Sequence, residues 1–108
     1  MANPWTGEVV LTIDGKPRAM KLTLGALAEL EGELKTGTLI ELIERFEGGA
    51  FSTRDVLALI VAGLRGGGWQ GQAGDLIAAE IAGGPVAAAR AAGLLLKRAF
   101  ALPEVPEA

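Results

Sequence analysis

Between residues 8 and 23 apolar and polar positions alternate. Val9, Leu11 and Ile13 are separated by Val10 and Thr12, the two-residue period of a strand with one buried face. Asp14-Gly15 follows, a pair that accepts the left-handed backbone of a tight hairpin turn. A return strand is expected over about Arg18 to Thr23, with Met20 and Leu22 on one face and Lys21 on the other. Pro17 has no N–H to give to a ladder and marks an edge or a strand start. A lone hairpin is marginal in water, so its apolar face needs cover from the rest of the chain.

From Leu24 the apolar period lengthens to that of a helix. Leu27, Leu30 and Leu34 form one stripe, with Glu29, Glu31 and Glu33 around the remainder. Gly37 breaks this helix. Thr38-Leu39-Ile40-Glu41 matches a capping box, in which hydroxyl and carboxylate satisfy free N–H groups at a helix start. Leu39, Leu42, Ile43 and Phe46 line the second helix, which Gly48-Gly49 ends. Ser52-Thr53-Arg54-Asp55 offers a weaker box of the same kind. A third helix follows, with Val56, Leu57, Ile60, Val61 and Leu64 as its core stripe.

Residues 66–74 contain five glycines in nine positions and predict a flexible loop. Asp75 suits the start of a short helix carrying Leu76, Ile77 and Ile81, stopped by Gly83-Gly84. Pro85 opens a last helix reaching about Ala101, with Lys97 and Arg98 where the helix dipole favours cations. Residues 102–108, with Pro103 and Pro106, predict a frayed tail. The expected fold is α+β: one mostly helical domain over residues 1–108, with an N-terminal β-hairpin (8–23) followed by about five short helices (24–101).

Composition narrows the chemistry. The 108 residues include no Cys, His or Tyr, and Ser52 is the only serine. Thiol nucleophiles, disulfides, the usual zinc sites and Ser-His chemistry are therefore excluded. With 50% apolar residues and a mean hydropathy of +0.37, the chain can build a core without metals or cross-links. A net charge of −3 argues against a general nucleic-acid binder. No stretch reaches the roughly 18 apolar residues of a membrane span, and the first residues lack the basic and apolar regions of a secretory signal. A non-enzymatic, cytoplasmic protein with no cofactor or metal is expected.

Gly66, Gly68 and Gly71 satisfy G-x-G-x-x-G, but the phosphate-binding use of that spacing needs a strand before the glycines and a helix after. Here a helix precedes them, and a loop is the better reading. Residues 29–47 hold six Glu against Lys35 and Arg45, a local charge of −4. A carboxylate pair for acid–base or metal work needs a group that tunes or orients it. None is apparent, so a solvated helix face is favoured, with an acidic surface for a basic partner as a second reading. In the last helix the charges are Arg90, Lys97 and Arg98, on a narrow stripe, and the rest of the circumference is apolar. Such a helix is either central to a core or covered by another chain. Trp69, in the glycine loop, is either a lid on the core or an exposed anchor of the kind enriched at binding hot spots. Trp5 poses the same choice. The candidate partner-binding residues are Trp69, Leu94, Leu95, Leu96, Phe100 and Trp5.

Several blocks carry a resemblance: Gly7 to Gly15, Lys21 to Glu31, Glu44 to Phe51, Ala62 to Gly68, and the Ala-rich helix ending near Phe100. Together they resemble the small tail-assembly protein of gene transfer agents, phage-like particles that some GC-rich bacteria make to package host DNA. The resemblance implies a tail assembly chaperone that coats the hydrophobic tape measure protein and brings tail tube subunits to it. Related sequences are also labelled tail tube proteins, which implies a structural component instead, a tail tube or tail-terminus subunit. A tube subunit is expected to be rich in strands, whereas this pattern predicts one hairpin and about five helices, so the chaperone is the favoured expectation. Its implied partners are the tape measure and tail tube proteins, with self-association into a dimer or ring left open. No catalytic residues carry over. A small enzyme using a Glu pair is the third hypothesis.

Overall fold

The computed structural model describes residues 8–33 and 38–100, and these form two strands and five helices. Strands β1 (Val9–Ile13) and β2 (Lys16–Met20) pair antiparallel, with Ile13 opposite Lys16 and Val9 opposite Met20. Asp14 and Gly15 both have positive φ, 52° and 80°, as a two-residue hairpin turn requires. Val9, Leu11 and Ile13 face inward and Val10 outward, in the expected alternation. The return strand begins two residues before the expected Arg18 and ends at Met20, because so tight a turn starts the pairing at once. Pro17 is tolerated there. The pair flanking such a turn exchanges hydrogen bonds, so the next pair, Thr12 with Pro17, needs none from the ring nitrogen.

Helix α1 spans Leu24–Glu33 and α2 spans Leu39–Gly48. Then come α3 (Thr53–Gly66), α4 (Ala73–Ile77) and α5 (Gly84–Phe100). The Thr23 hydroxyl caps α1 by accepting from the Ala26 N–H at 3.0 Å. Leu30 and Ala26 are its buried residues; Leu34 and the Gly37 break lie outside the described residues, as do the expected tail and Trp5.

Helix α3 is the centre of the molecule, packed against α1, α5 and β2. The predicted stripe is present, but α3 buries more of its circumference than one stripe. Leu59 (0% exposed) and Ala62 join Ile60, Val61 and Leu64, while Val56 and Leu57 are only half-buried. Coverage from three sides explains this, since a surface helix would bury one face alone.

The glycines of α3 and its end have contacts that no larger residue could make. A Cβ on Gly63 would stand 2.7 Å from Leu95 Cδ1 and 3.1 Å from Met20 Cβ. On Gly66 it would fall 1.9 Å from the Lys21 carbonyl oxygen, and on Gly67 2.2 Å from that of Ala19. Backbone therefore lies on backbone, and the Lys21 N–H donates to the Gly63 carbonyl at 2.9 Å. The expected 66–74 loop is shorter, since α3 runs through Gly66 and α4 begins at Ala73.

The segment after α4 departs from expectation. The helix stops at Ile77, and Ile81 pairs instead with Ile13 as an isolated antiparallel bridge on the second edge of β1. The Asp14 N–H donates to the Glu80 carbonyl at 2.7 Å, and Ala82 N–H to the Thr12 carbonyl at 3.0 Å. The Asp14 carboxylate also accepts from the Glu80 N–H at 2.9 Å. The acid at the hairpin turn thus draws residues 80–82 into an extended path. No described helix is long and apolar enough to cross a membrane.

These glycine contacts predict opposite effects from one substitution. Gly66→Ala should lower unfolding free energy by roughly 1–3 kcal/mol, because a methyl group must displace backbone. Gly32→Ala, on α1 with nothing within 4 Å, should leave stability unchanged or raise it by up to about 1 kcal/mol. Urea titrations followed by far-UV circular dichroism measure both.

Candidate functional site

Helix α2 buries Leu42 and packs Leu39, Ile43 and Phe46 against the core, and one carboxylate clamps its C-terminal end. Asp55 is the third residue of α3, and it completes a capping box with Ser52: its N–H donates to Ser52 Oγ at 3.1 Å, and its Oδ2 accepts from the Ser52 N–H at 2.9 Å. Arg45, from the last turn of α2, grips the same carboxylate with both arms, Nε to Oδ2 and Nη2 to Oδ1, each 3.0 Å. Burial pushes the Asp55 carboxyl up, but the Arg45 guanidinium and the two Ser52 donors outweigh it and hold it below the usual carboxylate range. The hydrogen bond to Asp55 raises Arg45 in turn. The expected two-way box at Thr38–Glu41 is replaced by its hydroxyl half, with Thr38 Oγ1 accepting from the Glu41 N–H at 3.3 Å. The complete box is the weaker match of the two in sequence, Ser52–Asp55, and its carboxylate also holds Arg45.

After α2, Gly49 turns the chain in the left-handed region (φ 76°), and Phe51 folds back to stack on Phe46, ring centroids 4.4 Å apart and planes 7° from parallel. These rings help form an open apolar groove of about 850 Å³ between α2 and α5. Ile43, Phe46 and Phe51 form one side, and Val86, Leu96 and Phe100 the other, with Gly93 leaving the floor low beneath Phe46. Val86 is 66% exposed and Phe100 43%. Glu47 stands on the α2 rim, Arg90 and Lys97 on the α5 rim. Phe51, Val86 and Ala89 also wall a second trough of about 830 Å³ running on past Leu57, Leu76 and Ile77, so apolar surface continues along much of α5.

Trp69 occupies a different surface. Its N–H donates to the Leu64 carbonyl at 2.9 Å, and its half-buried ring lies across Gly71, where a Cβ would meet it at 2.1 Å. Arg65 ties the loop down, pairing with Glu29 Oε2 at 2.7 Å and donating to the Gly71 carbonyl at 3.3 Å. Trp69, Arg65, Glu29, Thr23 and Ala26 surround a more polar cleft of about 540 Å³.

The candidate residues from sequence therefore fall in three places. Leu96 and Phe100 line the α2–α5 groove, and Trp69 lines the cleft beside α1. Leu95 is 0% exposed and packs within the core, where no partner reaches it, and half-buried Leu94 packs against that core. The last helix is thus both things its composition allowed, with Ala88, Ala91, Ala92, Leu95 and Leu96 buried and Val86, Ala89, Gly93 and Phe100 toward the groove, where Leu96, 3% exposed, belongs to the floor. Sequence reasoning missed Phe46, Phe51 and Val86 as groove residues. Two of the three Phe residues flanking the Gly48-Gly49 stop were the available signal. Among the described residues no group of three or more Asp or Glu could hold a metal ion.

Residues 6–102 match the family described as "Phage tail tube protein, GTA-gp10". The chain belongs to this family. The match spans both strands and all five helices of the described structure, so the groove and the Trp69 cleft both lie within the family's domain. This is a tail-associated family of gene transfer agent type, and its description carries the tube label, not the chaperone that the helical pattern favoured. Comparison with curated proteins and comparison with solved structures gave no match.

The Asp55 geometry sets a pH dependence for the groove wall. A carboxyl lowered on folding adds stability above its ordinary value, near 4, and that contribution is lost as pH falls through its folded value. Asp55→Asn should therefore cost roughly 1–2 kcal/mol at pH 7. The gap from the unaltered protein should close below about pH 4. Denaturation midpoints from pH 7 to pH 3 check this.

Proposed function

We propose that this family member is a non-enzymatic structural component of the tail of a phage-like gene transfer particle. In this reading it holds a neighbouring tail protein through the apolar surface on α5. The observation that carries the reading is the family match over residues 6–102, nearly the whole chain. The α2–α5 groove supports it, because exposed apolar surface rimmed by charge marks docking sites. Phe100 is the contact proposed there, with Val86 added and buried Leu96 as the floor beneath them, and Trp69 is a second contact on its own cleft.

A second reading, an assembly chaperone for the tape measure protein, is favoured by one observation. The described sheet has two strands and the remaining elements are helices, whereas a tube wall calls for extended, continuous sheet. An open apolar groove suits the amphipathic helices of another chain. In both readings the tape measure and tail tube proteins are the proposed partners, and the protein meets them in the cytoplasm where particles form.

Quantitative mass spectrometry of purified particles separates the two. A structural component should be present in many copies per particle. A chaperone should be absent or in trace, while tape measure protein is recovered soluble only when this chain is co-expressed. Val86→Asp, on an exposed position, should reduce incorporation or co-purification about tenfold or more, equivalent to about 1.4 kcal/mol, with the thermal midpoint kept. Equal recovery by Val86→Asp and Trp69→Ala would remove both surfaces from the proposal.

A further inference from the structure

The α2–α5 groove has a charge polarity that its floor lacks. On α2, Glu47 stands at the groove rim, and Ile40 and Glu44, exposed outside the groove lining, continue its helical stripe at i−7 and i−3. On α5, Arg90 and Lys97 are likewise seven residues apart and exposed at the opposite rim. Between them lie Phe46, Gly93, Leu96 and Phe100. The neighbouring cations are already engaged, Arg45 with Asp55 and Arg98 with the Glu8 carbonyl. Glu44, Glu47, Arg90 and Lys97 have no side-chain hydrogen-bond or ion-pair partner among the described residues.

A face with acid on one edge, base on the other and an apolar strip between is its own complement. Rotation by 180° about an axis along the strip lays each acidic edge on the other copy's basic edge, making the same pairing twice. Rotation about the perpendicular axis in the same plane sets acid on acid and base on base. We propose that a second copy of this chain covers the α2–α5 groove, with α2 of each copy lying over α5 of the other. Val86 and Phe100, exposed on the α5 side of the groove, lose their exposure. The helical span from Val86 to Phe100 is about 21 Å, and two helices side by side are about 20 Å wide. The resulting footprint of about 400 Å² per copy is below the roughly 800 Å² of a standard interface. The dimer is thus a reversible, concentration-dependent one, competing with any tail protein for the same groove. The inference stands whether or not the tail reading holds.

Sedimentation equilibrium of the full chain over a wide concentration range, at low and moderate salt, tests it. The unaltered protein should show a monomer–dimer equilibrium weakened by salt. Glu44→Lys with Glu47→Lys should raise the dimer dissociation constant about tenfold or more, and so should Arg90→Glu with Lys97→Glu. All four reversals together should restore it to within about threefold, because the face is again self-complementary. Circular dichroism confirms that each variant is folded. A chain that stays monomeric throughout overturns the proposal. So does a dimer that ignores the reversals, which would place the contact elsewhere, and so does a monomer that fills the groove only with a co-expressed tail protein.

Discussion

The fold depends on how closely the C-terminal half of α3 approaches the chain leaving β2. At Gly63, Gly66 and Gly67 the helix lies against Met20, the Lys21 carbonyl and the Ala19 carbonyl with no side chain between, and the Lys21 N–H closes the contact on Gly63. Other features follow from that approach. The hairpin gains the cover it cannot provide for itself, and Met20 becomes fully buried. Leu95 of α5 comes down onto Gly63 from another side, so sheet, central helix and last helix meet at one point.

Helix α2 is held differently. It has one fully buried residue, Leu42, and its place is set by the Arg45–Asp55 pair and the Phe46–Phe51 stack at its C-terminal end. A helix fixed at one end by a charged clamp leaves space beside it, and the apolar groove is that space. The same arrangement supplies the wall, the floor and the unpaired charges at the rim. It also separates the groove from the Trp69 cleft, whose shape depends on Arg65, Gly71 and α1.

Much of the fold was legible because it is written in short-range periodicity. The alternation of Val9, Leu11 and Ile13, the Asp14-Gly15 turn and the helix stripes each need only a few neighbouring residues to be recognised. What was not legible depends on residues far apart in sequence. Gly66 and Gly67 read as loop residues because sequence does not show the strand backbone beneath them. Ile81 fitted a helical stripe until Asp14, over sixty residues earlier, drew Glu80 onto the edge of β1. Leu94, Leu95 and Leu96 are indistinguishable in composition, yet only Leu96 reaches the groove, because a uniformly apolar helix hides its own orientation. The groove itself was missed for a similar reason: Phe46 and Phe51 become one wall only after Gly49 reverses the chain.

The bridge between β1 and residues 80–82 also bears on how the chain folds during synthesis. The hairpin is local and can pair within microseconds once it is free of the ribosome. Its other edge has no partner until residues 80–82 have been made, which at about 5–20 residues per second takes several seconds more. Through that interval the nascent chain carries a strand with an unpaired side and an apolar face awaiting α3 and α5, the kind of template on which neighbouring chains associate wrongly. Order of emergence favours α3, since it follows the hairpin after only α1 and α2 and covers Met20 well before α5 appears. Residues 80–82 then close the edge and α5 follows them, so correct completion of the fold waits on the final third of the chain.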